Sequence, residues 1–157
     1  NKETYFSRIR LSPSNIIFNQ TSNSYMDTIV SVGLSELEIK DAVVVIRPIT
    51  ADILDMLKSK EPALDIKAFI IGREDNYIIY ITDLNRTTAI EVLSHELIHL
   101  KQTETGRLLK GTKSVKWEGK EYSPELPYED RPWEKDAFDK QYGLLNNIKS
   151  KLYQETN

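Results

Sequence analysis

A chain of 157 residues with 39% hydrophobic and 29% charged residues has the balance of an ordinary single globular domain, long enough to bury a core of its own. A net charge of -3 offers no basic footprint for nucleic acid, and no apolar run approaches the length of a membrane span. The absence of cysteine excludes a disulfide framework and a thiolate metal site.

The chain begins at Asn1 rather than Met, as a processed or trimmed product does, so localisation stays open, and oligomeric state is unmarked. Residues 1–20 read as an N-terminal arm: 5–11 as a short strand or docking segment, 12–15 as a turn. From 22 to 39 the spacing of Tyr25, Ile29, Val32 and Leu34 is weakly helical, with a break expected at Gly33. Residues 42–46 are a β-branched run that predicts a buried strand, closed by Pro48. A capped helix follows over 50–58, with Ile53, Leu54 and Leu57 inward, and Pro62 ends it. Residues 66–71 and 77–81 predict two strands joined by a hairpin turn at 72–76. A helix over 86–105 is capped by Asp83 or Asn85 and stopped by Gly106. A small hairpin, 114–117 with 120–123, turns at Glu118-Gly119, and Pro124 and Pro127 hold an extended loop. The last helix, 131–153, has Pro132 in its first turn and a stripe of Glu134, Phe138, Gln141, Leu145, Ile148 and Leu152. No repeat or linker divides the chain, so 1–157 is read as one domain.

The chemistry concentrates in the helix over 86–105. It carries His95-Glu96-Leu97-Ile98-His99, and these are the chain's only 2 histidines. Residues four apart on a helix stack on one face, so both imidazoles can address one metal ion, with Glu96 within reach of a water on it. The plain alternative is a core helix with two accidental histidines. Against it, Ala89, Ile90, Leu93, Leu97 and Leu100 project to one side, whereas Thr88, Val92, His95, Glu96, His99 and Thr103 project to the other. A catalytic zinc site usually takes three protein ligands and leaves a place for water. With no further histidine and no cysteine, the third must be an acid. Glu134 heads a stripe that is apolar except at Glu134 and Gln141, where an unpaired carboxylate is costly and a metal ion is a partner; complementing the helix dipole is its other explanation. Glu129, Asp136, Glu104 and Glu121 are rivals, Asp136 a poor one because it lies about 160° round the helix.

The His95–Gln102 stretch, followed by Pro127-Tyr128 and Arg131-Pro132-Trp133-Glu134-Lys135-Asp136-Ala137, resembles the small bacterial and phage-associated metallopeptidases of the minimal gluzincin type, in which a Trp-Glu-x-x-Ala segment follows the His-Glu-x-x-His helix. The likeness spans about residues 77–145. It implies an α+β, zincin-like fold: a small mixed or antiparallel sheet packed on an active-site helix, with a C-terminal helix supplying the third ligand. It implies Zn²⁺ on His95, His99 and Glu134, with Glu96 as general base in peptide hydrolysis. A peptide or protein is then the substrate, and the strand at 77–81 is the cleft edge to which it adds. Tyr122, Tyr128, Arg131 and Tyr142 are candidate oxyanion donors; Tyr128 and Arg131, flanking Glu134, lead them. Trp117, Trp133 and Tyr122 line the cleft or pack, with packing favoured for Trp133. Phe138 stands where thermolysin-like gluzincins carry an aspartate that orients a zinc histidine, so the partners of the histidines are unassigned. Gln102 and Thr105 stand where metzincins carry glycine and a third histidine. The alternative function is a catalytically silent zinc-binding or regulatory protein of the same fold; an intact Glu96 weighs against it. Lys110, Lys113, Lys116 and Lys120 read as a solvated face.

Overall fold

The computed structural model describes residues 15–63 and 65–156, with side chains to 154. Residues 1–14 of the predicted arm lie outside them, whereas 16–19 form a strand of the main sheet. The chain is α+β, with a mixed sheet and four α-helices. Strands β1 (Ile16–Asn19), β2 (Val43–Pro48), β3 (Ala68–Arg73) and β4 (Asn76–Ile81) form a sheet in the order β1-β2-β4-β3. β1, β2 and β4 run parallel and β3 antiparallel to β4. The helices are α1 (Tyr25–Glu36), α2 (Ala51–Lys60), α3 (Arg86–Glu104) and α4 (Pro132–Thr156). A second sheet, β5 (Leu108–Lys110), β6 (Val115–Trp117) and β7 (Lys120–Tyr122), lies between α3 and α4 in sequence, followed by a 3₁₀ turn at Tyr128–Asp130. Among the described residues no helix is long and apolar enough to cross a membrane.

The β-branched run at β2 buries Val44 and Ile46 on the face that meets Tyr77, Ile79 and Ile81 of β4. α1, α3 and α4 cover that face, and α3 is the central helix, touching β3, α1, α4 and β5. The β3–β4 hairpin turns on Glu74 and Asp75, both at positive φ, as a two-residue turn matched to strand twist requires. Glu118-Gly119 makes the same turn between β6 and β7. Asn85 caps α3, its Oδ1 accepting from Thr88 N at 2.8 Å, and Gly106 follows that helix at φ 77°. Thr50 caps α2 in the same way. None of α2's residues is buried, Ile53, Leu54 and Leu57 being only partly covered.

Four expectations are corrected. α1 runs unbroken through Gly33, because that position has no room for a side chain: a Cβ there would lie 2.4 Å from Leu97 Cδ1 and 3.3 Å from Ile148 Cδ1. The strand at 77–81 is an interior strand paired on both sides, and the free edge beside α3 belongs to β3. The buried stripe of α4 is Trp133, Ala137, Gln141, Leu144, Ile148 and Leu152, with Phe138 exposed. Val92 packs against the main core rather than standing apart with the histidines.

Candidate metal centre

The two apolar stripes bring α3 and α4 into their close contact, and the candidate metal-binding side chains sit where α4 begins to cross α3. Pro132 starts α4, so Glu134 falls in its first turn and points back onto α3. Glu134 Oε1 lies 2.9 Å from His95 Nε2 and 2.8 Å from His99 Nε2, and the two Nε2 atoms are 3.1 Å apart. Side-chain exposure is 13% for His95, 7% for His99 and 12% for Glu134, so the cluster is recessed yet reachable. His95, His99 and Glu134 thus form a group that can hold a metal ion.

The outward nitrogens decide what the inward ones can do. His99 Nδ1 donates to Gln102 Oε1 at 2.8 Å. The Gln102 amide has one allowed orientation there, because its Nε2 donates to Trp133 O and to Asp136 Oδ2, each at 2.9 Å. His95 Nδ1 donates to Gln141 Oε1 at 2.6 Å. A neutral imidazole with its hydrogen on Nδ1 presents a lone pair at Nε2. In that tautomer two lone pairs and a carboxylate oxygen converge, a set that can hold a cation, whereas a proton on Nε2 makes the same histidines donors to Glu134. Tetrahedral ligands about 2.0–2.1 Å from a zinc-sized ion stand roughly 3.3 Å apart, so a small outward movement of these three atoms admits one.

Electrostatics follow from burial and these contacts. Burial pulls the Glu134 carboxyl upward, but hydrogen bonds from His95 and His99 and their charges outweigh it and hold the group well below the usual carboxylate range. Burial pulls His95 down, and its bonds to Glu134 and Gln141 with the nearby carboxylates carry it above its ordinary value. Glu96, 7% exposed, is pushed up by burial, against the opposing histidines and Lys110.

The other sequence candidates are distributed round this group. Tyr128 Oη donates to Glu134 Oε1 at 3.2 Å, and burial with the Glu134 charge raises its pKa beyond reach of ordinary pH. Arg131 is engaged elsewhere: its Nε donates to Leu126 O at 2.9 Å and its Nη2 pairs with Glu61 at 2.8 Å, with the guanidinium facing the Tyr128 ring. It thereby ties the segment beside the cluster to the chain leaving α2. Trp117, Trp133 and Tyr122 pack in a small core with Leu108, Val115 and Leu126. Tyr142 is exposed, and Phe138 meets the His95 ring edge-on at 4.9 Å. Asp136 reaches His99 only through Gln102 and pairs with Arg107 and Lys140. The four lysines after α3 are all exposed; among them Lys110 lies close enough for its charge to act on Glu96.

Sequence reading missed Gln102 as a partner of His99 and gave Gln141 no role. The available signal was spacing: Gln102 is one turn beyond His99, and Gln141 two turns beyond Glu134 on the same face.

No family model matches this chain, and no curated protein matches it. A solved structure similar to it is that of TM1509 from Thermotoga maritima, described as "VT1, a NESGC target protein", at 13% identity and TM-score 0.48, covering 90% of this chain and 93% of that one.

Proposed function

We propose that this chain is a small zinc-dependent metallopeptidase of zincin-like, gluzincin type. The observation that carries the reading is the meeting of His95, His99 and Glu134 in one group, with Glu96 on the same helix as the two histidines. Two imidazoles and one carboxylate are a donor set suited to zinc. When bound, such an ion supplies Lewis acidity, bringing the pKa of water down to about 7 in favourable sites and polarising a carbonyl.

The chain's own groups do the rest. Glu96 takes the proton from the attacking water and delivers it to the leaving amine. The Tyr128 hydroxyl, kept protonated by its surroundings, donates to the oxygen that becomes negative. Arg131 serves this at one remove, by holding the Tyr128 segment through Leu126 and Glu61. The free edge of β3, beside α3, offers unpaired backbone groups for an extended peptide.

The test is elemental analysis after dialysis against trace zinc, with peptide hydrolysis measured alongside. We expect about one zinc per chain, sharply less in Glu134→Ala, and in Glu96→Gln full zinc with hydrolysis reduced by at least 10²-fold. Full zinc in Glu134→Ala moves the third ligand to another carboxylate. Zinc uptake without hydrolysis of any peptide in a broad library favours the silent zinc-binding alternative, and no zinc uptake by the wild type sinks both readings.

A further inference from the structure

Phe138 stands where an orienting aspartate is expected in the larger gluzincins, and here its ring packs edge-on against His95 at 4.9 Å and can accept no hydrogen bond from a ring nitrogen in the plane of the imidazole. The work of holding the histidines falls instead to two amides. We propose that Gln102 and Gln141 are positioning residues that fix the imidazoles of His99 and His95 with hydrogen on Nδ1 and Nε2 free for the metal. This rests on the metal reading of the cluster. It goes beyond it by assigning two residues that no ligand motif contains.

Gln102 and Gln141 are 1% and 4% exposed, among the few buried polar side chains outside the ligand cluster. A buried amide costs free energy unless its hydrogen bonds are made. Gln102 makes three: it accepts from His99 and donates to Trp133 O and Asp136. Asp136 is in turn held by Arg107 at 3.2 Å and Lys140 at 2.9 Å, and Arg107 stacks over Trp117 at 4.5 Å. The small sheet thereby reaches the outward nitrogen of His99 through Arg107, Asp136 and Gln102. On the other side Gln141 holds His95 alone, at 2.6 Å. Both acceptors are neutral. A carboxylate in the same place would make an imidazole a stronger donor and quench more of the ion's positive charge. The amides orient the rings without that effect and would leave a bound ion more electron-poor.

The experiment measures zinc dissociation constants by competition with a chromogenic chelator, checking the fold by circular dichroism, for wild type, Gln141→Met, Gln141→Glu and Asp136→Asn. Methionine fills the volume of Gln141 but cannot accept from Nδ1, so zinc binding weakens by about 10–100-fold. Gln141→Glu restores an acceptor and binds at least as tightly as wild type. Asp136→Asn, acting through Gln102, weakens binding only several-fold. A purely packing role for Gln141 predicts wild-type affinity in the methionine variant, and that result overturns the proposal, as does a glutamate variant as weak as the methionine one. If the wild type binds no zinc, the metallopeptidase reading fails first, and ring-nitrogen NMR of the metal-free protein decides this one separately. Hydrogen-bonded Nδ1 protons on both histidines, with that of His95 lost in Gln141→Met, support it; free or absent Nδ1 protons in the wild type overturn it.

Discussion

The main core draws buried side chains from five elements, α1, β2, β4, α3 and α4, far apart in sequence. The small core is Leu108, Val115, Trp117 and Trp133, with Tyr122 and Leu126 against it, nearly all from one stretch of chain. The first is closed by shape, as at Gly33, where α1 approaches Leu97 so nearly that no side chain fits. The second is joined to the rest by polar ties: Arg107 to Asp136, and Gln102 to Trp133 O. α4 passes from one to the other within a turn, since Trp133 belongs to the small core and Ala137 to the main one, and Glu134 lies between them. The candidate metal group therefore sits on a seam, with both histidines on the side of the main core and Glu134 between the two cores.

The largest effect expected from this difference is at Leu97, fully buried where α1, α3 and α4 meet. Leu97→Ala should cost about 2–5 kcal/mol in denaturant melts, as a global loss. Zinc comes next. Binding across the seam, at about 100 times its dissociation constant, should add about 2.7 kcal/mol to the wild type and little to Glu134→Ala, read as the shift in thermal midpoint. Trp117→Ala should act locally. Amide exchange across residues 108–122 should quicken while α1 and α3 stay protected, and the global melt should move less than with Leu97→Ala. Equal global losses in the two variants would show one cooperative unit and end the distinction between the cores.

How far the sequence revealed this follows the same division. β2, α3 and both hairpin turns were legible because a β-branched run, a cap with a terminal glycine, and turn residues each act locally. So was the meeting of His95 with His99, whose spacing is itself the geometry. What was hidden depends on contacts between distant segments. Gly33 looks like a helix breaker until Leu97 is seen against it. The strand at 77–81 looks like a sheet edge until β2, more than thirty residues earlier in the chain, pairs with its other side. Phe138 fits a 3.6-residue apolar stripe as well as Ala137 does, and only the crossing of α4 over α3 selects between them. Gln102 carries no motif, and its role appears only once Trp133 and Asp136 are brought beside it.

The smallest effect probes the main core from its sheet side. Tyr77 is 3% exposed on interior strand β4, with its ring lying over Gly72 of β3, where a Cβ would come within 2.4 Å of it. Burial, with Asp75 and Glu104 adding to it, pushes its phenol up to about 12 from 10.0. The folded state thus prefers the neutral phenol more strongly than the unfolded chain does. Stability from this source is intact below pH about 10 and is lost as pH rises through about 12, because the unfolded chain gives up its proton first. Wild type should therefore lose stability more steeply than Tyr77→Phe over that interval, in melts taken at successive pH values, since every other tyrosine titrates in both proteins. Parallel curves would mean that Tyr77 ionises while the sheet stays folded. The side chain of Tyr77 would then reach water without loss of the β3–β4 pairing, and the main core would be looser on its sheet side than at Leu97.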